Sequence, residues 1–274
     1  MFYREVQPSF AVAPWVECYW RLQRGPSSWQ SIYPDGCSEL ILHVTGASAE
    51  LRGGRIVRRP GHFVHGATDR RILVRSEAET SVLAIRLRPW AVRALLGAPA
   101  EELAGQAVEL EALEPALARR LLPIVEDPRS PGSQEAELDG ALADWIEQRS
   151  PELPPTARVA RYLLAHPTST AGDVGRLTGW SARTVQRRFR EEIGLPPKRF
   201  LQVARFLRFL RLLDLEPTAP LAQLAVAAGY YDQPHLHRDV RRFTGATPAR
   251  LRGSDRSAFD SLFGRDRLRR LVVV

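Results

Sequence analysis

Hydrophobic positions follow one period in the first third of the chain and another in the rest. Up to residue 88, short runs rich in Ile, Leu and Val (Ser38–Val44, Arg71–Arg75, Ser81–Arg88) alternate with Arg24-Gly25-Pro26, Pro34-Asp35-Gly36, Gly53-Gly54 and Pro60-Gly61. Short apolar runs between Gly/Pro punctuation read as strands and tight turns. In Pro34-Asp35-Gly36 a residue of fixed φ and one free to take positive φ pre-set such a turn. Many short strands joined this way predict an antiparallel sandwich or barrel over 1–88.

From Pro89 the period becomes three to four. Ala91, Leu95 and Leu96 form one stripe, Leu117, Leu121 and Leu122 a second, and Leu138, Leu142, Trp145 and Ile146 a third. Such spacing predicts a helical layer over 89–149, whose apolar stripes suit packing onto the β domain or a dimer surface. Ser150-Pro151-Glu152-Leu153-Pro154-Pro155 resists both helix and central strand and reads as a linker over 150–155.

Beyond the linker the chain repeats itself. Gly179 recurs as Gly229, 50 residues on, and Val185, Phe189, Gly194 and Pro197 recur as Leu236, Val240, Gly245 and Pro248, 51 residues on. Two copies make a duplicated motif, not a solenoid. In the first, Ala171–Leu177 is a short helix with Val174 and Leu177 on its inner face, Thr178-Gly179-Trp180 breaks it, and Ser181 is placed to cap a second helix. That helix, 181–192, turns Val185, Phe189 and Ile193 inward and leaves Arg183, Thr184, Gln186, Arg187 and Arg190 outside. In the second copy Leu221–Ala228 precedes the turn, Asp232 caps the helix 232–243, and Gln233, His235, His237, Arg238 and Arg241 are left outside. Arginine pairs bidentately with guanine and glutamine with adenine, so both faces suit the edges of base pairs in a major groove. A continuous helical stretch, Arg199–Leu213, would hold the units apart; recognition helices about 34 Å apart enter successive major grooves.

Charge sharpens this division. Residues 1–155 carry 17 basic and 21 acidic residues, whereas 156–252 carry 17 basic and 7 acidic ones. An acidic half joined to a basic one suggests a polyanion-binding module on a non-binding one; charge alone leaves a solvated surface or an acidic membrane as alternatives, and the helix-turn-helix motifs select double-stranded DNA. The expected class is therefore α+β: an antiparallel β domain with a helical layer over 1–149, a linker, an all-α DNA-binding domain with two helix-turn-helix units over 156–252, and a tail over 253–274.

Residues 158–252 closely resemble the AraC/XylS DNA-binding domain. The resemblance rests on Gly229-Tyr230-Tyr231-Asp232-Gln233-Pro234-His235-Leu236, Phe243-Thr244-Gly245-Ala246-Thr247-Pro248 and Arg252, together with the spacing of both units. It implies base contacts from Arg183, Thr184 and Arg187, then from Gln233, His237 and Arg238; Pro234 departs from a position that is often polar in relatives. Residues 8–110 are similar to the cupin-like, DUF6597-like sensor domains of a subgroup of these regulators. That likeness rests on Pro34-Asp35-Gly36-Cys37-Ser38-Glu39-Leu40, Phe63-Val64-His65-Gly66 and Ile85-Arg86-Leu87-Arg88-Pro89. A small-molecule effector, a homodimer and, for an activator, RNA polymerase are the further partners expected.

Other chemistry is weakly signalled. Trp15, Trp20, Trp29, Tyr33 and His43 are candidates for a ligand pocket, with ordinary core packing as the alternative. His43, His62 and His65 lack the ordered His and Glu pattern of a metal cupin, so no metal and no cofactor is expected. The two cysteines, Cys18 and Cys37, read as buried small residues, with a redox or metal pair as the alternative, and two are too few for the four-cysteine site of a methyl-accepting repair regulator. Neither a nucleophile elbow nor a phosphate-cradling glycine loop occurs, so no catalytic residue and no enzyme is expected. The N-terminal MFYREVQPSF has no basic-then-apolar pattern, and no apolar run reaches the ~20 residues of a membrane span, so a cytoplasmic protein is expected. The rival function is an architectural or nonspecific DNA binder without an effector.

Overall fold

The computed structural model describes residues 2–127 and 133–253. The N-terminal part runs through β1 (Phe2–Val6), β2 (Val16–Arg24), β3 (Gln30–Ile32), β4 (Ser38–Thr45), β5 (Ser48–Arg52), β6 (Arg55–Arg58), β7 (His62–His65), β8 (Ile72–Ser76) and β9 (Thr80–Leu87). Helices α1 (Ala91–Leu96) and α2 (Ala100–Leu103), strand β10 (Ala107–Glu109), and helices α3 (Leu110–Leu113), α4 (Pro115–Glu126) and α5 (Ser133–Arg149) follow. The C-terminal part is helical: α6 (Pro155–Ala165), α7 (Ala171–Thr178), α8 (Ala182–Ile193), α9 (Pro197–Leu215), α10 (Leu221–Ala227), α11 (Gln233–Thr244) and α12 (Pro248–Gly253). The expected tail, 253–274, lies outside the described residues apart from Gly253. No helix among the described residues is long and apolar enough to cross a membrane.

All strands pair antiparallel, in a six-stranded sheet ordered β1-β2-β9-β4-β7-β10 and a four-stranded sheet ordered β3-β8-β5-β6. The two-residue period assigns opposite jobs to neighbouring side chains. On one face of the large sheet, Tyr19, Leu40, Leu42, Val64, Leu83, Ile85 and Leu87 pack against the helical layer. On the other, Trp20, Glu39, Ile41, His43, His65, Val82 and Arg86 look towards the small sheet across a cavity. Polar groups anchor the helical layer: Arg21 reaches α5 at Gln134 (2.7 Å) and Glu135 (3.2 Å), and Tyr19 Oη donates to Asp139 (2.9 Å).

The three helical stripes read from the sequence are buried, except that Ile146 is half-buried. Strand β10 lies where only helix was expected. Its three residues are too few to show a period, and it is held by pairing with β7.

The proline-rich joint carries no regular structure over 150–154, yet it does not separate two cores. One apolar cluster runs from Val12 and Trp15 through Leu95, Leu96, Ala100 and Leu103 to Val185, Phe189, Ile193, Phe200 and Leu201. A second joins Tyr33 of the β domain to Val203, Phe206, Leu210, Leu236, Val240 and Phe243. Helix α9 lies in both clusters, which is why its buried apolar residues are spread round the helix between half-buried polar ones at Arg199, Gln202, Arg205, Arg208, Arg211 and Asp214.

Candidate nucleic-acid interface and ligand cavity

The first helix-turn-helix unit is set by local chemistry. Thr170 Oγ1 accepts from the Asp173 amide (3.3 Å) and the Asp173 carboxylate accepts from the Thr170 amide (2.6 Å), a capping box that fixes the start of α7. Gly179, at φ +69°, ends α7 in the left-handed conformation, and Ser181 Oγ then accepts from the Thr184 amide (3.2 Å) to start α8. Val185, Phe189 and Ile193 are buried, and Arg183, Gln186, Arg187 and Arg190 are exposed. Thr184 is half-buried, its hydroxyl 3.0 Å from that of Ser181. Arg187 meets Glu191 at 2.9 Å, one turn along. Leu177, expected inside, is 44% exposed, whereas Val174, three residues earlier, is fully buried.

The second unit repeats the design. Asp232 accepts from the His235 amide (2.7 Å) to cap α11, and Leu236, Val240 and Phe243 are buried. Gln233, Arg238 and Arg241 are exposed, and His237 is half-buried beside Gln233. His235 does not share that outer face. It is half-buried with its ring edge-on to Tyr230 and its Nε2 3.9 Å from Asp239, because one helical turn before the buried Asp239 faces inward. Burial raises the pKa of the Asp239 carboxyl, opposed by His235 and nearby arginines. Tyr231, just before the cap, is 90% exposed and was not singled out in the sequence because its neighbour Tyr230 reads identically there.

Between the two sheets lies a cavity with about 950 Å³ of free space, its open mouth included. Trp20, Tyr33 and His43 line it, three of the five expected pocket residues. Trp15 does not: it sits in the core under the helical layer, on the opposite side of the large sheet. Trp29 lies outside the lining, under the guanidinium of Arg75. The sequence reading missed the polar lining residues Glu39, Arg59 and Arg86. Arg86, buried, meets Glu39 at 2.7 Å, Glu5 at 3.6 Å and Asp35 at 3.7 Å. Burial works against its charge, but Glu39 and its other anionic neighbours hold its pKa well above the usual value. Burial, then Arg59, push the His65 imidazole down to about 3, so this ring is neutral at ordinary pH. The two cysteines are buried and are not joined in a disulfide. Cys18 Sγ lies 3.6 Å from Arg86 Nη1, and the Cys37 thiol donates to Glu17 at 3.4 Å.

Both helix-turn-helix units touch the β domain and its helices. α8 ends at Gly194, where a Cβ would stand 2.8 Å from the Ala100 carbonyl oxygen, so only glycine lets α8 end against α2. On the other unit, Asp69 pairs with Arg242 (2.6 Å) and Arg199 (3.4 Å), and Arg71 donates to the Thr244 carbonyl (3.2 Å). No periodicity marks Asp69 or Arg71; they are loop charges whose partners lie more than a hundred residues away.

Comparison with known proteins matches two separate parts of the chain. Residues 4–109 match a family described as a domain of unknown function, DUF6597, and residues 174–254 match a helix-turn-helix domain. The chain thus carries a DUF6597 domain followed by a helix-turn-helix domain. No curated protein matches this chain. Among solved structures, ToxT from Vibrio cholerae is 9% identical, covers 92% of this chain and 98% of its own, with a TM-score of 0.46. ToxT with an unsaturated fatty acid bound is 10% identical over 85% of this chain and 92% of its own, with a TM-score of 0.47.

Proposed function

We propose that this regulator reads two adjacent major-groove segments of one operator, with α8 and α11 as recognition helices, and that a small molecule in the β-domain cavity controls the reading. In this scheme residues 1–149 are the sensor and dimer module, residues 156–252 bind DNA, RNA polymerase is a partner if the regulator activates, and the protein works in the cytoplasm without catalysing a reaction. The observation that carries the DNA-binding assignment is the repeated sidedness of the two capped helices. Each buries its apolar stripe and turns arginines and a glutamine near its N-terminus to solvent. The base-reading residues are Arg183, Gln186 and Arg187 on α8, with Thr184 beside the cap, and Gln233, His237 and Arg238 on α11. Arg190 and Arg241, nearer the C-terminal ends, suit phosphates. His235 is assigned to packing.

Control by a ligand requires two arrangements that the ligand binds unequally. Tyr33 both lines the cavity and packs in the cluster around α9, and Asp69 ties α9 and α11 to the β domain. A change in the cavity wall therefore reaches the helix that sets the relative placement of the two recognition helices.

Operator titrations test the assignment residue by residue. Arg187→Ala is expected to cost about 1–3 kcal/mol on the operator and to relax base preference in the half-site read by α8, and Arg238→Ala to do the same in the other half-site. Equal losses on operator and random DNA would make both residues phosphate contacts and would favour the architectural reading.

A further inference from the structure

We propose that the cavity between the two sheets takes an organic anion, a carboxylate on an apolar body, and that Arg59 is its anchoring cation. This inference rests on the reading of the cavity as the effector site and adds the chemistry of the effector. Four arginines line the space (Arg24, Arg59, Arg75 and Arg86) against two carboxylates, Asp35 and Glu39. Three of the four are engaged by the protein. Arg86 is held by Glu39, Asp35 and Glu5, Arg75 pairs with Glu77 (2.9 Å), and Arg24 donates to Gln30. Glu39 is committed as well, to Arg86 and to Trp20 Nε1 (3.1 Å).

Arg59 stands apart. Its side chain is 9% exposed, its guanidinium makes no hydrogen bond or ion pair with any described residue, and its one specific contact is the Phe63 ring, 4.3 Å from Cζ. A buried cation is costly unless it is paired. Here burial is the dominant influence and pulls the Arg59 pKa down to about 10, with Glu50 and Glu39 acting only at a distance. Glu50 is itself occupied by Arg52 at 3.2 Å. A second buried polar atom without a partner, His65 Nε2, lines the same cavity, and its neutral ring can complete a hydrogen bond to the ligand. Part of the wall is apolar: Ile32, Ile41, Ile72, Val74 and Val82 can pack against a hydrocarbon or aromatic body. Guanidinium–carboxylate pairs are charge-assisted and bidentate, which sets an organic carboxylate apart from its amide at Arg59.

Thermal unfolding of the full chain tests this directly. Wild type, Arg59→Met and Arg59→Lys are compared alone and with benzoate, phenylacetate and hexanoate, with the matched amides, and with sulfate. Without additive, Arg59→Met is expected to melt about 2–4 °C above wild type, because an unpaired buried charge is replaced by an apolar side chain of similar length. A carboxylate of the panel is expected to raise the Tm of wild type, to raise that of Arg59→Lys less, and to leave Arg59→Met unchanged, while its amide does nothing. A lower Tm for Arg59→Met without additive would make Arg59 structural and overturn the proposal. Equal responses to carboxylate and amide would keep the cavity as an effector site but overturn the anion. A response to sulfate and to no carboxylate would overturn the organic body. No response to any probe would overturn the proposal and count against the effector reading itself.

Discussion

Phe189→Ala is expected to destabilise the protein by about 3–5 kcal/mol, the usual cost of removing a fully buried aromatic side chain. Phe189 is 0% exposed and edge-on to Phe200, with ring centroids 5.9 Å apart. It belongs to the cluster that also holds Leu95, Leu96, Ala100 and Leu103 of the sensor half, so the void opens between the two halves and not inside the first helix-turn-helix unit alone. Urea unfolding followed by far-UV circular dichroism should show one transition moved to lower urea. For the same reason a fragment beginning at residue 156 would expose Val185, Phe189, Ile193 and Phe200 and is expected to be much less stable than the DNA-binding half of the full chain. A Phe189→Ala variant as stable as wild type would mean that the buried face of α8 is wrongly phased, and with it the choice of Arg183, Gln186 and Arg187 as readers.

Arg86→Met is expected to cost about as much, roughly 3–5 kcal/mol, by a different mechanism. Its guanidinium, 4% exposed, is the shared partner of Glu5, Asp35 and Glu39, whose side chains are 8, 15 and 18% exposed. Methionine keeps the volume of the stem but leaves three crowded carboxylates without their common cation. The same denaturation experiment checks it. The double variant Arg86→Met/Glu39→Gln should recover part of the loss, since one stranded charge is gone and the two sites are coupled. Full additivity of the two substitutions would show that water entering the cavity, not Arg86, compensates the carboxylates. The contrast with Arg59 is instructive. Arg86 and Arg59 line the same cavity; removing the saturated one should weaken the fold, and removing the unpaired one should strengthen it.

The parts of this structure legible in the sequence are those set by short-range periodicity. The strand runs at 38–44, 71–75 and 81–88 fall within a residue of β4, β8 and β9, because a short apolar run between Gly/Pro turns is a local signal. The two recognition helices were legible for the same reason, reinforced by Ser181 and Asp232 at their starts and by glycines at their ends. Where the reading failed, the deciding contact was distant. Trp15 and Trp20 look equivalent in sequence, yet they lie on opposite sides of the large sheet. His235 looks like its neighbours on α11 until Tyr230 and Asp239 are placed beneath it. Arg59 is one of four arginines between residues 52 and 59, and nothing local distinguishes it from Arg55 and Arg58, which are exposed. The charge reversal near residue 155 falls at the joint between the part that holds the sheets and the all-helical part. It also suggested two independent bodies, whereas the apolar packing is continuous, because charge patterning reports the solvent-facing surface and not the core.

The most direct test of the regulator's central assignment is a footprint of the full chain on an operator recovered by genome-wide binding with the purified protein. Two protected major-groove segments on one face of the duplex are expected, about one helical turn apart, with affinity at least about a thousandfold above that for random DNA at the same salt. Uniform protection without a preferred sequence, or a single protected segment that Arg187→Ala and Arg238→Ala weaken equally, would contradict reading by two linked recognition helices.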